Sequence, residues 1–165
     1  MKKPVFDKVA QISVVVDDIY AYMRRYNDDY GIGPWTVLRF DRGNTSGMVV
    51  RGAPEDFEIR LAICDCLNIQ WELIQPLSEN GSYAEFLRKN GPGIHHVCMQ
   101  PAEGYARIRE ILAGRGHAET LIGGVDSGNM EFAYVDLTDD LGFVVELMNP
   151  REGCVPMPPE DVYPR

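Results

Sequence analysis

The sequence predicts an α+β fold in which two paired βαβββ modules form a single domain. Two observations support this prediction: a diverged internal repeat, and the same order of strand-like and helix-like segments in both halves. The 165 residues are enough for one compact domain with a substantial core. The modules are expected to span about 6–77 and 92–150, and the proline-rich residues 151–165 are expected to form an irregular tail.

The first part of the repeat lies at the opening strand of each half. A β-like run at Gln11 is followed by a helix-like segment, and a run at His96 is followed in the same way. Aligned without a gap, Gln11 falls on His96 and Tyr20 falls on Tyr105. Chance could produce this match alone, so it needs support from elsewhere in the chain.

The second part of the repeat lies at the closing strand of each half. Residues 71–76 resemble residues 145–150, with a Glu-Leu pair near the centre and proline at the end of each segment. This alignment places Glu72 on Glu146. Because both matches occur in the same order, they indicate a duplicated module.

The first half contains signals for a helix between strands. Asp17 or Asp18 can cap a helix that runs to about Tyr30, and Gly31 and Pro34 stop it. Alternating apolar residues predict strands at 35–40 and 57–65, with a loop and a short strand near 48–50 between them.

The second half repeats this order after a short linking helix. Ser82 and Glu85 have the spacing of a capping box for a helix that ends at Gly91. A further helix is predicted from about Glu103 to Ala113. The predicted strands of this half are 118–122, 130–137 and 142–148.

The bulk properties exclude several classes of function. The formal net charge of -9 argues against a nucleic-acid partner, because such proteins usually carry a basic surface. No apolar run reaches the roughly 20 residues that span a bilayer, and the N-terminus lacks the apolar stretch of a secretory signal. The cysteines show neither zinc-finger spacing nor a disulfide framework. Reduced thiols and a cytoplasmic location are therefore expected; the cysteines are Cys64, Cys66, Cys98 and Cys154.

Four polar residues interrupt strands whose opposite faces are strongly apolar: Gln11, Glu72, His96 and Glu146. Successive side chains of a strand point to opposite faces, so the apolar faces should pack on helices and the polar residues should line a cleft. An internal two-fold axis would bring the four groups together. Two buried carboxylates need compensating charge, which a divalent cation supplies. The mixed nitrogen and oxygen donors suit zinc, cobalt, nickel, manganese or iron.

Three neighbouring features have simpler interpretations. His95 falls on the face opposite His96 and is expected to be structural, with a hydrogen bond near the site as the alternative. Cys98 is expected to line the cleft without a chemical role, although a role remains open. Asp139 and Asp140 are most simply part of a turn.

Together these segments resemble the vicinal oxygen chelate superfamily, which includes glyoxalase I, methylmalonyl-CoA epimerases, extradiol dioxygenases and fosfomycin resistance proteins. The segments that carry the resemblance are 11–18 (QISVVVDD), 31–35 (GIGPW), 72–77 (ELIQPL), 93–97 (GIHHV) and 141–147 (LGFVVEL). The stretch from Glu72 to His96 is especially similar to methylmalonyl-CoA epimerases. The resemblance implies a glyoxalase-like curved mixed sheet around a cleft.

The resemblance also implies a ligand set for one divalent metal ion, such as Zn, Co, Ni or Mn. The family's ligand positions match Gln11, Glu72, His96 and Glu146. Epimerases usually carry His at the first position and Gln at the second, and this chain differs at both. The combination of Gln, Glu, His and Glu is instead similar to the zinc set of animal-type glyoxalase I.

The function implied is a metal-dependent epimerase that removes a proton next to the carbonyl of an acyl-CoA thioester, with Glu146 or Glu72 as the base. One alternative is a lactoylglutathione lyase (glyoxalase I) reaction, which isomerises a glutathione hemithioacetal to a glutathione thioester. Another is a non-catalytic member of the superfamily that binds a small molecule. An extradiol dioxygenase is disfavoured, because its iron site needs two histidines and only His96 is present among the four positions. The resemblance also suggests a homodimer.

Overall fold

The computed structural model describes residues 3–165, which form one curved, open, mixed sheet with helices. The helices are α1 (Ile19–Tyr30), α2 (Ser82–Asn90), α3 (Tyr105–Ala113) and α4 (Thr138–Leu141). The strands of the first half are β1 (Phe6–Val15), β2 (Trp35–Phe40), β3 (Thr45–Val50), β4 (Ala53–Pro54), β5 (Ile59–Cys66) and β6 (Ile69–Pro76). The remaining strands are β7 (Gly93–Pro101), β8 (Ile122–Asp126), β9 (Met130–Leu137), β10 (Phe143–Pro150) and β11 (Asp161–Tyr163).

The strand order confirms the α+β fold class and follows the repeated modules. The sheet runs β11-β2-β5-β6-β1-β7-β10-β9-β8-β3-β4. Its centre therefore consists of two equivalent four-stranded units, β2-β5-β6-β1 and β8-β9-β10-β7. In each unit the first strand pairs in parallel with the last one, and the two first strands, β1 and β7, join the units in an antiparallel pair. This arrangement is what an internal two-fold axis produces.

Both edges of the sheet are extended by segments outside the predicted modules. The hairpin β3–β4 pairs with β8 of the second half, although its residues lie between two strands of the first. At the other edge β11 pairs with β2, so residues 151–165 are not wholly irregular as predicted. Long-range contacts hold β11 in place: Glu160 accepts two hydrogen bonds from Arg60 at 2.9 Å, and Asp161 accepts one from Tyr20 at 3.1 Å.

The strand predicted at 118–122 was wrong in its position, since β8 begins only at Ile122. The reason is the pair Gly123 and Gly124, because two consecutive glycines are not typical of a strand sequence. A Cβ atom built on Gly123 would lie 3.1 Å from the backbone oxygen of Phe132, and one on Gly124 would lie 3.3 Å from that of Ser46. Glycine is therefore favoured at both positions, because a Cβ atom would press on the neighbouring strands that approach β8 closely.

The predicted capping box of α2 was also wrong. The N-cap is Gly81, at φ 95°, and Ser82 is the first helical residue. The Oγ atom of Ser82 is buried without a hydrogen-bond partner, and Glu85 forms an ion pair with Arg51 at 2.6 Å instead of reaching back to the cap.

The apolar faces of the central strands pack as predicted. One cluster joins the outer face of β1 to α1 through Val14, Val16, Ile19 and Met23. An equivalent cluster joins the outer face of β10 to α3 through Val145, Leu147, Ile108 and Leu112. A third cluster lies on the inner, concave face and includes Val15, Ile74, Tyr83 and Tyr134. The concave face is therefore apolar around the four polar positions that it carries.

Asp18 caps α1 as predicted, since its side chain accepts a hydrogen bond from the backbone N–H of Ala21 at 3.0 Å. We expect Asp18→Ala to lower the free energy of unfolding by about 1 kcal/mol, the usual cost of losing such a cap. Asp17→Ala is the matched control, because it removes the same charge one residue earlier without removing the cap. Equal losses in urea-denaturation experiments on the two variants would contradict the assignment.

Candidate functional site

Strand register brings the four predicted residues to the centre of the concave face. Glu72 of β6 and His96 of β7 both lie opposite Ser13 of β1. In the neighbouring cross-strand row, Gln11 of β1 lies opposite Cys98 of β7, which in turn lies opposite Glu146 of β10. The four predicted residues therefore occupy two adjacent rows across four neighbouring strands.

All four side chains are removed from solvent. Gln11 is 2% exposed, Glu72 6%, His96 0% and Glu146 3%. The Nε2 atom of His96 lies 3.5 Å from Oε2 of Glu72 and 3.4 Å from Oε2 of Glu146. The side chains of Glu72, His96 and Glu146 therefore converge at one point on the concave face of the sheet.

Gln11 and Glu72 are linked through Ser13, a residue that was not predicted. The Ser13 hydroxyl makes a short hydrogen bond to Oε2 of Glu72 and lies 3.4 Å from Oε1 of Gln11. On its other side, the Nε2 atom of Gln11 donates to Oε1 of Gln70 at 2.7 Å. Ser13 shares a face with Gln11 in the sequence, and that shared face is the signal that could have identified it.

Two buried atoms at the centre have no hydrogen-bond partner: Nε2 of His96 and Oε2 of Glu146. Buried polar atoms are rarely left without a partner, so a ligand with positive charge would fit between them. Two ligands about 2.0–2.1 Å from a tetrahedral metal lie about 3.3 Å apart, close to the two separations from His96. As they stand, no three His, Cys, Asp or Glu side chains in residues 3–165 are arranged to hold a metal ion. The carboxylates would therefore have to adjust around a bound ion.

The electrostatics of the site favour added positive charge. Burial raises the pKa of Glu72, and the nearby Glu146 raises it further, while His96 and the hydrogen bond from Ser13 act in the opposite direction. Burial and then Glu146 also raise the pKa of the Cys98 thiol. Cys98 thus lies in the cleft as a neutral thiol. The two carboxylates lack a full counter-charge in this arrangement.

Strand alternation predicts that His95 and His96 lie on opposite faces of β7. This prediction was wrong. Ser13 pairs with His96 but Val14 pairs with Ile94, so His95 is the extra residue of a β-bulge. The bulge turns both histidines toward the concave side, where their Nδ1 atoms are 3.0 Å apart. Burial and then His96 lower the pKa of His95 to about 3, so that it is neutral near pH 7.

Two tyrosines that were not predicted form a wall of the site. The ring of Tyr134 packs on the ring of His96, with their centroids 4.3 Å apart. The hydroxyl of Tyr83 on α2 donates to that of Tyr134 at 2.9 Å. Because Tyr83 belongs to the linking helix, α2 closes the concave face on this side of the four residues.

A cavity of about 470 Å³ opens beside the site. Its lining includes Gln11 and Cys98 from the central rows, Met148 from β10, and Asp65 and Gln70 near the β5–β6 turn. This volume lies within the range of small-molecule pockets. Of the four central residues, only Gln11 borders this cavity.

Two further expectations can be compared with the structure. The four cysteines form no disulfide bond within residues 3–165. None of the helices in that range is both long and apolar enough to cross a membrane.

Comparisons with solved structures show where this architecture recurs. A methylmalonyl-CoA epimerase from Mycobacterium tuberculosis is 21% identical, with a TM-score of 0.66, and the match covers 92% of this chain and 93% of that one. A Streptomyces coelicolor methylmalonyl-CoA epimerase variant in complex with 2-nitronate-propionyl-CoA is 20% identical, with a TM-score of 0.64 and coverage of 87% and 96%. A hypothetical protein from Bacillus halodurans is 20% identical, with a TM-score of 0.61 and coverage of 88% and 95%. At these identities the likeness shows the fold.

Comparison with curated proteins gives no significant match. The family model described as "Glyoxalase/Bleomycin resistance protein/Dioxygenase superfamily" matches residues 10–134, which is most of the chain and includes three of the four central residues. The repeated modules, the curved sheet and this match lead to one conclusion: the chain belongs to the glyoxalase/bleomycin resistance protein/dioxygenase superfamily.

Proposed function

We propose that this protein is a divalent-metal-dependent isomerase that removes and returns a proton next to a carbonyl group, with an acyl-CoA thioester as its substrate. The observation that carries the proposal is the pair of buried, unpartnered atoms, Nε2 of His96 and Oε2 of Glu146, beside a second buried carboxylate. The likeness in fold to methylmalonyl-CoA epimerases supports the substrate class.

The residues proposed to hold the ion are Gln11, Glu72, His96 and Glu146. Neutral His95 can accept the Nδ1–H of His96, which orients the imidazole with Nε2 toward the proposed ion. One ion of zinc, cobalt, nickel or manganese suits these nitrogen and oxygen donors. When bound, such an ion supplies positive charge that stabilises negative charge developing on the carbonyl oxygen of a substrate.

Glu146 is proposed as the base, with Glu72 as the second candidate. Glu72 shares one oxygen with the Ser13 hydroxyl, whereas Oε2 of Glu146 has no hydrogen bond in the protein. With Oε2 beside the ion, the other carboxylate oxygen of Glu146 would take a proton from the substrate carbon as the C–H electron pair moves toward the carbonyl oxygen. The Glu146 carboxylic acid then returns the proton to carbon. The exclusion of water from this buried site strengthens both interactions.

The face or the carbon that receives the proton decides the product. Return to the opposite face of the same carbon gives epimerisation, and Glu72 could act there if it leaves the metal. Return to the neighbouring carbon gives a glyoxalase-type isomerisation of a glutathione hemithioacetal. The second reaction is kept as the alternative because the set Gln11, Glu72, His96 and Glu146 is similar to that of animal-type glyoxalase I. A role as a non-catalytic binder is the third possibility.

The direct test is solvent proton exchange. Metal-loaded protein in heavy water, given a panel of acyl-CoA thioesters and glutathione hemithioacetals, is expected to incorporate deuterium next to the carbonyl of at least one acyl-CoA. The matched control is protein treated with chelator. Exchange confined to hemithioacetals would support the glyoxalase-type alternative. If a panel member binds tightly but incorporates no deuterium with any of the metals loaded, the protein is a binding protein and the proposal is contradicted.

We also propose an oligomeric state and a cellular location for this protein. We expect a homodimer in a reducing compartment such as the cytoplasm, supported by the family resemblance and by the free cysteines. Light scattering coupled to size-exclusion chromatography measures the mass of the protein in solution. A mass of one chain at micromolar concentration would contradict the dimer.

A further inference from the structure

A row of three polar side chains leads from the edge of the cavity to the centre of the site. Asp65 of β5 lies opposite Gln70 of β6, which lies opposite Gln11 of β1. The Nε2 atom of Gln70 donates to Oδ1 of Asp65 at 3.1 Å, and Nε2 of Gln11 donates to Oε1 of Gln70 at 2.7 Å. The two amides are thus joined head to tail, with a carboxylate at the outer end.

The carboxylate of Asp65 fixes which end of each amide in this row donates and which end accepts. An ionised carboxylate can only accept hydrogen bonds, so Gln70 must turn its nitrogen toward Asp65. Its oxygen then faces Gln11, and Gln11 must turn its own nitrogen outward to donate. The consequence is that the Oε1 atom of Gln11 faces inward, toward Ser13 and the centre of the site.

This direction matters because the two ends of an amide differ as ligands. The amide oxygen carries lone pairs that can bind a cation, whereas the NH₂ group carries two protons and cannot. The single hydroxyl proton of Ser13 is engaged by Glu72, with which it makes the shorter of its two contacts. Oε1 of Gln11 is therefore left free to accept another partner.

We propose that Asp65 and Gln70 are positioning residues, which fix the side-chain amide of Gln11 so that its oxygen faces the metal ion. The inference rests on the proposed metal site. It assigns a function to a side chain at the cavity edge that none of the reaction steps uses. Asp65 and Gln70 also join the two strands of the β5–β6 hairpin through their hydrogen bond. The experiment must therefore separate orientation from stability and from charge.

The test is a double-mutant cycle on metal affinity. Asp65→Asn removes the one group that can only accept, because an Asn amide can present either end to Gln70. We expect it to weaken cobalt binding, measured by calorimetry on the full chain, about tenfold, which is the usual size of outer-shell effects. In the Gln11→Glu background the same change is expected to cost less than about twofold, since both ends of a carboxylate are oxygen.

The Gln11→Glu background controls for charge, because Asp65→Asn removes the same charge in both cases. Equal losses in the two backgrounds would overturn the proposal and assign Asp65 a general electrostatic or structural effect. No loss in either background would overturn it as well.

A second measurement needs no metal. In the metal-free protein, the side-chain amide protons of Gln11 are expected to exchange with solvent at least about fivefold faster in Asp65→Asn than in the unsubstituted protein, because hydrogen-bonded amides exchange slowly. Unchanged exchange would overturn the proposal even if the unsubstituted protein bound no metal. Failure of that protein to bind metal would contradict only the proposed function.

Discussion

Replacing Glu146 with glutamine is expected to lower the rate of substrate proton exchange by about a thousandfold or more while leaving the fold intact. A positioned general base contributes roughly 10²–10⁴-fold to such a reaction, and an amide cannot take up the proton. The loss of rate should be larger than the general-base contribution alone, because Glu146 is also proposed to hold the ion. Glutamine has nearly the same shape, so the cluster of β10 with α3, which packs on the other face of the strand, should be undisturbed.

The matched control is Glu110→Gln, which makes the same chemical change at an exposed position on α3. It should retain the rate of the unsubstituted protein, and circular dichroism should show the same fold for both variants. Glu72→Gln gives a second comparison. If Glu146→Gln exchanges protons at the original rate while Glu72→Gln does not, Glu72 is the base and the assignment of Glu146 is wrong.

Removing the metal is expected to produce the second large effect, a loss of stability. An ion that binds only the folded chain stabilises it by about 4 kcal/mol when its free concentration is a thousand times the Kd. For a chain of this length, each 1 kcal/mol corresponds to roughly 2–4 °C in Tm. We therefore expect chelation to lower the Tm by about 10 °C, measured by calorimetry with and without added cobalt.

His96 should be required for this increment. His96→Ala is expected to melt at the same temperature with and without cobalt, because its imidazole supplies the only nitrogen ligand among the four proposed. His117→Ala is the matched control, since His117 contacts Asp140 outside the cleft, at 3.2 Å. A cobalt-dependent rise in Tm that persists in His96→Ala but disappears in His117→Ala would place the ion elsewhere.

Much of the central sheet could be predicted because the duplication is visible in the sequence. Aligning Gln11 with His96 and Glu72 with Glu146 predicts two equivalent pairs of strands, and the register of β1, β6, β7 and β10 confirms them. Strand alternation then distinguishes the helix-packing face from the concave face. These inferences succeed because they depend on local periodicity, which the strands preserve.

The features that escaped prediction depend on long-range contacts or on broken periodicity. The bulge at His95 adds one residue to the strand, so simple alternation assigns its side chain to the wrong face. The β3–β4 hairpin leaves its own module to pair with β8, and β11 is held by distant partners such as Arg60. Ser13 shares a face with Gln11 but lacks the chemical character of a ligand, and its contact with Glu72 then shows that it belongs to the site.

The most direct measurement is anomalous diffraction at the cobalt edge from crystals of the cobalt-loaded protein. We expect one strong peak per chain, about 2.0–2.2 Å from Nε2 of His96 and from oxygens of Gln11, Glu72 and Glu146. The absence of a peak, or a peak bound by other residues while these four contact only one another, would contradict this expectation.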